Sequence, residues 1–180
     1  SNNVVTNGVG LAPLTVAIPS VGIYRIHVST SSSCGTDGSC HTVKVVSEVP
    51  VNDQCANAIP LAMPSTTAGT TIYASLESPA PGTCTTTLSQ PGVWYTVVGN
   101  GNQFGADLCA ASSWDSKVFV YTGTCGSWTC VTGNDDNGPM CSGAAASVTW
   151  CSVPSTTYYI LATGYSTANT FTIALTQTVN

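Results

Sequence analysis

Charge is the scarcest feature of this sequence. Three residues are basic, Arg25, Lys44 and Lys117, and eight are acidic, so charged side chains make up 6% of 180 residues, against roughly 25% in an ordinary globular protein. Three cations cannot line a nucleic acid, whose phosphates need a basic stripe. The same shortage excludes docking on an anionic membrane surface. No uninterrupted apolar run reaches the roughly 18 residues that cross a bilayer as a helix. No basic n-region leads into an apolar stretch, so any secretory leader is expected to have been removed already. Imidazole is nearly as rare: His27 and His41 are the only two. With no G-x-S-x-G elbow either, nothing supports a Ser-His-Asp triad. Two acids at a suitable separation can hydrolyse glycosides, but the acids here fall mostly in turns, and the chain is expected not to be an enzyme. Asn-x-Ser/Thr is absent as well, which argues against N-glycosylation.

What is present can build a core. The apolar fraction is 43%, with four Trp, seven Tyr and three Phe, far from the composition of a disordered chain. Much of the remainder is Ser, Thr, Gly and Asn. A surface hydrated by hydroxyls rather than charges has little like-charge repulsion to keep copies apart. Nine cysteines in such a chain point to disulfides and an extracellular location. Zinc is the rival, but no C-x2-C pair occurs. The turn-rich intervals predict Cys34–Cys40 and Cys125–Cys130 bridges. Pairing among Cys55, Cys84, Cys109, Cys141 and Cys151 stays open. Cys141–Cys151 is one option, and Cys151 is otherwise the expected odd thiol.

No window of the chain has helical periodicity, whereas period-2 alternation recurs. Residues 13–18, 22–28 and 41–46 read as strands. Val49-Pro50-Val51-Asn52-Asp53 reads as a boundary, because proline removes a ladder donor and Asn-Asp favours a turn. Beyond it, strands are expected at 58–62, 70–75, 93–98, 117–121, 129–132, 147–151, 157–163 and 169–176. The fold class is therefore all-β: an antiparallel β-sandwich, jelly-roll-like, over residues 52–178, preceded by a smaller incomplete β segment, 1–49. That first segment has one aromatic, Tyr24, and three or four strands cannot bury their own apolar face. It must be completed by the second domain or by a neighbouring subunit. Its first ten residues, SNNVVTNGVG, are an uncharged, β-prone arm suited to strand addition.

From Asn52 onward the chain resembles the bacterial secreted PPC-like (pre-peptidase C-terminal-like) β-sandwich family. The pieces that carry the resemblance are Asn52-Asp53-Gln54-Cys55-Ala56-Asn57-Ala58-Ile59-Pro60-Leu61, Gly92-Val93-Trp94-Tyr95, and the run from Trp114 to Gly123. Further on come Cys130 to Asp136, Cys141-Ser142-Gly143, and Thr157 to Tyr165. The resemblance implies a non-catalytic module of a secreted or surface protein. Two features depart from it. Cys151 stands where such modules carry an ordinary strand residue, and residues 1–49 fall outside.

Asp53, Asp115, Asp135 and Asp136 are the candidate ligands for Ca²⁺, a hard ion that collects carboxylate, amide and carbonyl oxygens. The EF-hand spacing is absent, and Asx-turns that tie loop backbone account for the same residues more plainly. Trp114, Trp128 and Tyr165, in or beside loops, are candidates for stacking on a glycan. These features lead to the expectation of an extracellular structural or adhesive protein that self-associates into a homopolymer by β-strand addition. A carbohydrate-binding or other accessory module of a secreted enzyme is the alternative.

Overall fold

The computed structural model describes residues 49–111 and 113–179. The strands expected in 1–48, the Cys34–Cys40 bridge and the leading arm lie outside these residues. The described part is a β-sandwich. Its strands are β1 (Ile59–Pro60), β2 (Ser65–Thr70), β3 (Gly92–Val98), β4 (Gln103–Asp107), β5 (Ser116–Thr124), β6 (Ser127–Asn134), β7 (Ser147–Cys151), β8 (Thr157–Gly164) and β9 (Thr170–Thr178). The only helical pieces described are single 3-10 turns at Cys55–Asn57 and Cys109–Ala111. One sheet runs β1-β3-β8-β5-β6 and the other β2-β9-β4-β7. Every pairing is antiparallel except the short parallel contact of β1 with β3.

Alternation along the strands decides which side chains meet. Val93, Tyr95 and Val97 of β3, and Val118 and Val120 of β5, face the second sheet, where Phe104, Ile173 and Leu175 close the core. Trp94, Phe119, Tyr121 and Leu161, the residues in between, point to the opposite face of the same sheet. That outer face is also buried. Cys55, Cys84, Leu88 and Trp128 cover it, and Trp128 stacks on Trp94 at 5.5 Å. The five-stranded sheet is therefore apolar on both faces, which explains its near-continuous hydrophobic runs, such as VFVY in β5.

Two disulfides, Cys55–Cys125 and Cys84–Cys130, fasten this cover to the β5–β6 hairpin. A third, Cys109–Cys141, ties the turn after β4 to the loop between β6 and β7. The expected Cys125–Cys130 bridge is thus replaced. Cys125 sits in the hairpin turn and Cys130 well into β6, opposite Tyr121. An extended strand advances about 3.3 Å per residue, so a short sequence interval becomes too long a span for one bridge. Cys141 takes Cys109 rather than Cys151. Cys151 ends β7, exposed and free.

Two strands differ from expectation. Of residues 70–75 only Thr70 is in a strand, as the end of β2: beyond it Ala74 N–H donates to the Thr71 carbonyl, and Tyr73 has φ of 63°. The strand there is β2, one step earlier, in a run of Ser, Thr, Ala and Gly with no apolar alternation. β4, QFGAD, has one large apolar side chain, Phe104, and gives no period-2 signal.

The sheet edges are treated unequally. At β6, Cys84 is bonded to Cys130, and the Thr85 hydroxyl donates to the Gly133 carbonyl. At the start of β7, Met140 and Cys141 N–H groups both donate to the Ser147 hydroxyl. The edge of β3 is capped by β1 and by Asn52, whose carbonyl accepts from Trp94 N–H and whose amide donates to the Trp94 carbonyl. β2 has no comparable cover among the described residues.

Candidate functional site

β5 and β6 pair so that Val118 lies opposite Asn134. The loop entering β5 and the loop leaving β6 therefore meet at one end of the sheet. Asp115 precedes β5, Asp135 and Asp136 follow β6, and oxygens from all three carboxylates lie within 4.8 Å of one another. The fourth candidate, Asp53, is elsewhere and engaged. It accepts from Ser75 N–H at 2.5 Å, from the Ser75 hydroxyl at 2.6 Å and from the Gln54 amide at 3.0 Å. That is a loop-tying role.

The carboxylate cluster has a neighbour that sequence reasoning passed over. Lys117, 2% exposed, places its ammonium 3.1 Å from Asp135 Oδ2. The same nitrogen donates to the Thr87 carbonyl at 3.0 Å and sits 4.8 Å from the centre of the Tyr165 ring. In VFVY-flanked β5 a lysine on the buried outer face needs such partners, because an unpaired buried ammonium is costly. Three carboxylates and one ammonium leave an excess of two negative charges. Partial burial pushes the Asp115 carboxyl above its ordinary value, Asp136 and Asp135 add to the rise, and Lys117 opposes it. Asp135 Oδ1 and Asn134 Oδ1 are buried without a hydrogen-bond partner. Carboxylate and amide oxygens without donors are the ligand types a divalent cation collects. A second group of possible ligands, Asp107 with Cys109 and Cys141, is unsuitable, since the two sulfurs are bonded to each other.

The aromatic candidates for a glycan platform are dispersed in role. Trp114 is in the core, 2% exposed, stacked on Phe171 and donating its indole N–H to the Thr167 carbonyl at 2.9 Å. Trp128 is half-buried against Trp94. Of the three, Tyr165 alone is exposed.

The other feature of note is an open groove of about 320 Å³ between β2 and the β1 side of the five-stranded sheet. Pro50, Val51, Ile59, Ala68, Gly69 and Tyr95 line it, with Asn52 and Thr70. None of these side chains is charged. Ile59 is a half-buried member of the core periphery and Val51 is largely exposed. Tyr95 forms part of the wall. Burial pushes its phenol up, and a hydrogen bond with the Asn52 side chain partly offsets that.

No family model matches the chain, and no curated protein or solved structure is significantly similar to it. No helix of the described residues is long and apolar enough to cross a membrane.

Proposed function

We propose that this chain is a non-catalytic extracellular structural or adhesive protein, the repeating subunit of a homopolymer assembled by β-strand addition. One observation carries the reading: β2, a six-residue edge strand without charge or proline, stands open among the described residues beside an uncharged groove. Natural sheets protect such edges with charges, prolines, bulges or covering loops. Here contacts cover part of β6 and the start of β7, and β2 has none among the described residues. Three disulfides support the extracellular part of the reading, because they persist in oxidising compartments. The two-sheet architecture supports treating 52–178 as a PPC-like module. Ca²⁺ at Asp115, Asp135 and Asp136 is the proposed structural ion, locking the ends of β5 and β6. The glycan-binding reading loses its aromatic row, since Trp114 belongs to the core.

Electron microscopy of native material, with light scattering of the purified full chain against concentration, tests this. Filaments, or scattering mass that rises with concentration, are expected. A monomer at every concentration, with no polymer on the native surface, would end the proposal.

A further inference from the structure

We propose that β2 is the acceptor edge of this assembly and that its occupant is a second copy of the chain, which lays the uncharged segment Ser1–Gly10 along it. The inference rests on the strand-addition reading above and gives it an address.

The phase of the β2 ladder identifies the open groups. Thr71 N–H donates to the Asn169 carbonyl at 2.9 Å, immediately beyond the last β2–β9 pair, Thr70 with Thr170. Hydrogen-bonded positions alternate along an antiparallel pair. Ser65, Thr67 and Gly69 therefore bond to β9, and Thr66, Ala68 and Thr70 turn their N–H and C=O groups to the free edge. None of those three N–H groups has a partner among the described residues. A strand added here would find a row of ready main-chain donors and acceptors. Alternate side chains of that strand would enter the groove against Ile59 and Tyr95, which completes the open side of the sandwich.

The surroundings select the occupant. Neither β2 nor the groove carries a charge, so a charged strand would be desolvated there without compensation. Residues 1–48 lie outside the described structure, and the chain enters it at Val49-Pro50-Val51, where Pro50 and Val51 form part of the groove lining. Within 1–48 the longest stretch free of charge, proline and cysteine is residues 1–12. It is long enough to match six residues of β2, about 20 Å of strand, and its valines at positions 4, 5 and 9 suit a small apolar groove. Supplied by a second copy, the contact is head-to-tail and propagates rather than closes.

Ala68→Pro in the full chain removes one edge donor and spares the β9 ladder, a position where an edge strand tolerates proline. Ala68→Ser keeps the donor. Sedimentation of both against the unaltered chain, with circular dichroism to check the fold, should show association weakened about tenfold or more for Ala68→Pro alone. Hydrogen exchange should show protection of the Thr66, Ala68 and Thr70 amides that grows with protein concentration. If the unaltered chain never associates, the strand-addition reading falls and takes this inference with it. If it associates and Ala68→Pro associates equally well, only the choice of β2 is wrong. Protection of those three amides that is independent of concentration would show the edge covered within one copy, and would also overturn it.

Discussion

Lys117 and Asp115 show how few charges can be made to matter. Lys117 is the only cation among the described residues, and the fold spends it on Asp135 and a backbone carbonyl rather than on solvent. Asp115 gains less from it, because burial and its two acidic neighbours outweigh the lysine and raise its pKa above the ordinary value. A carboxyl raised in the folded state binds its proton more readily there than in the unfolded chain. Its ionisation therefore costs stability as pH rises from the ordinary carboxyl value through the folded one, and the cost is absent below both. Asp115→Asn should accordingly stabilise the metal-free protein at neutral pH, by a small amount because solvent screens a group with this much access to water. The gain should vanish in acid. Millimolar Ca²⁺ should raise the melting point of the unaltered protein and do so less for Asp115→Asn, since an ion that binds only the native state stabilises it. Urea titrations at neutral and acid pH, and thermal melts in Ca²⁺ and in EDTA, check both. Equal melts in Ca²⁺ and EDTA would remove the ion from the account. Asp115 and the Asp135-Asp136 pair are legible in the sequence because a hairpin returns its ends to each other. Lys117 is not, since a lysine inside an apolar run gives no hint of the partners that loops 87 and 135 bring to it.

The β5–β6 hairpin organises the molecule at the level of elements. Its outer face takes the stacked Trp94 and Trp128, and two disulfides bring in segments from 70 and 46 residues away. Cross-links that close loops of that length restrict the unfolded chain by about 4 kcal/mol each on the chain-entropy model. Removing Cys84–Cys130 by the double change Cys84→Ser and Cys130→Ser should cost about 2–5 kcal/mol. It should also free the 84–86 segment, including the Thr85 bond to Gly133. A guanidinium titration of the oxidised proteins measures the loss, and a midpoint unchanged by the double change would mean that the cover is held by packing alone. Strand positions are legible where apolar residues run or alternate: 157–163 falls one residue short of β8, which is buried on both faces, and 147–151 coincides with β7, where buried Val148 and Trp150 alternate with exposed Thr149 and Cys151. They are not legible at β2 and β4. There small side chains meet small spaces, as at Gly69, where a Cβ would overlap the Tyr95 hydroxyl and crowd the Phe171 ring. Such a position is fixed by close approach, which leaves no hydrophobic period to read. Disulfide partners are illegible for a related reason: they depend on which strands cross, and sequence spacing misleads once a strand is extended.

For the whole molecule, the decisive quantity is the shortage of charge. A net charge of −5 spread over 180 residues gives copies little reason to repel, and the proposed contact between β2 and a neighbouring strand contains no ion pair. Its affinity would come from main-chain hydrogen bonds and from apolar side chains entering the groove. Neither is much screened by salt. The Debye length is about 10 Å at 0.1 M and about 3 Å at 1 M ionic strength, so an assembly held by charged patches would loosen across that range. One held by strand addition should not, and the slight easing of like-charge repulsion should strengthen it a little. Sulfate, which favours apolar burial, should strengthen it further. The expected outcome is an association constant that changes less than about threefold between 0.1 and 1 M sodium chloride and rises in sodium sulfate. Sedimentation equilibrium of the full chain across the two salt series measures this. A tenfold weakening in sodium chloride would place the contact on the few charged side chains instead, with the Asp115, Asp135 and Asp136 cluster as the first place to look. Adding Ca²⁺ at constant ionic strength then separates screening from ion binding, because only the second acts at millimolar concentration.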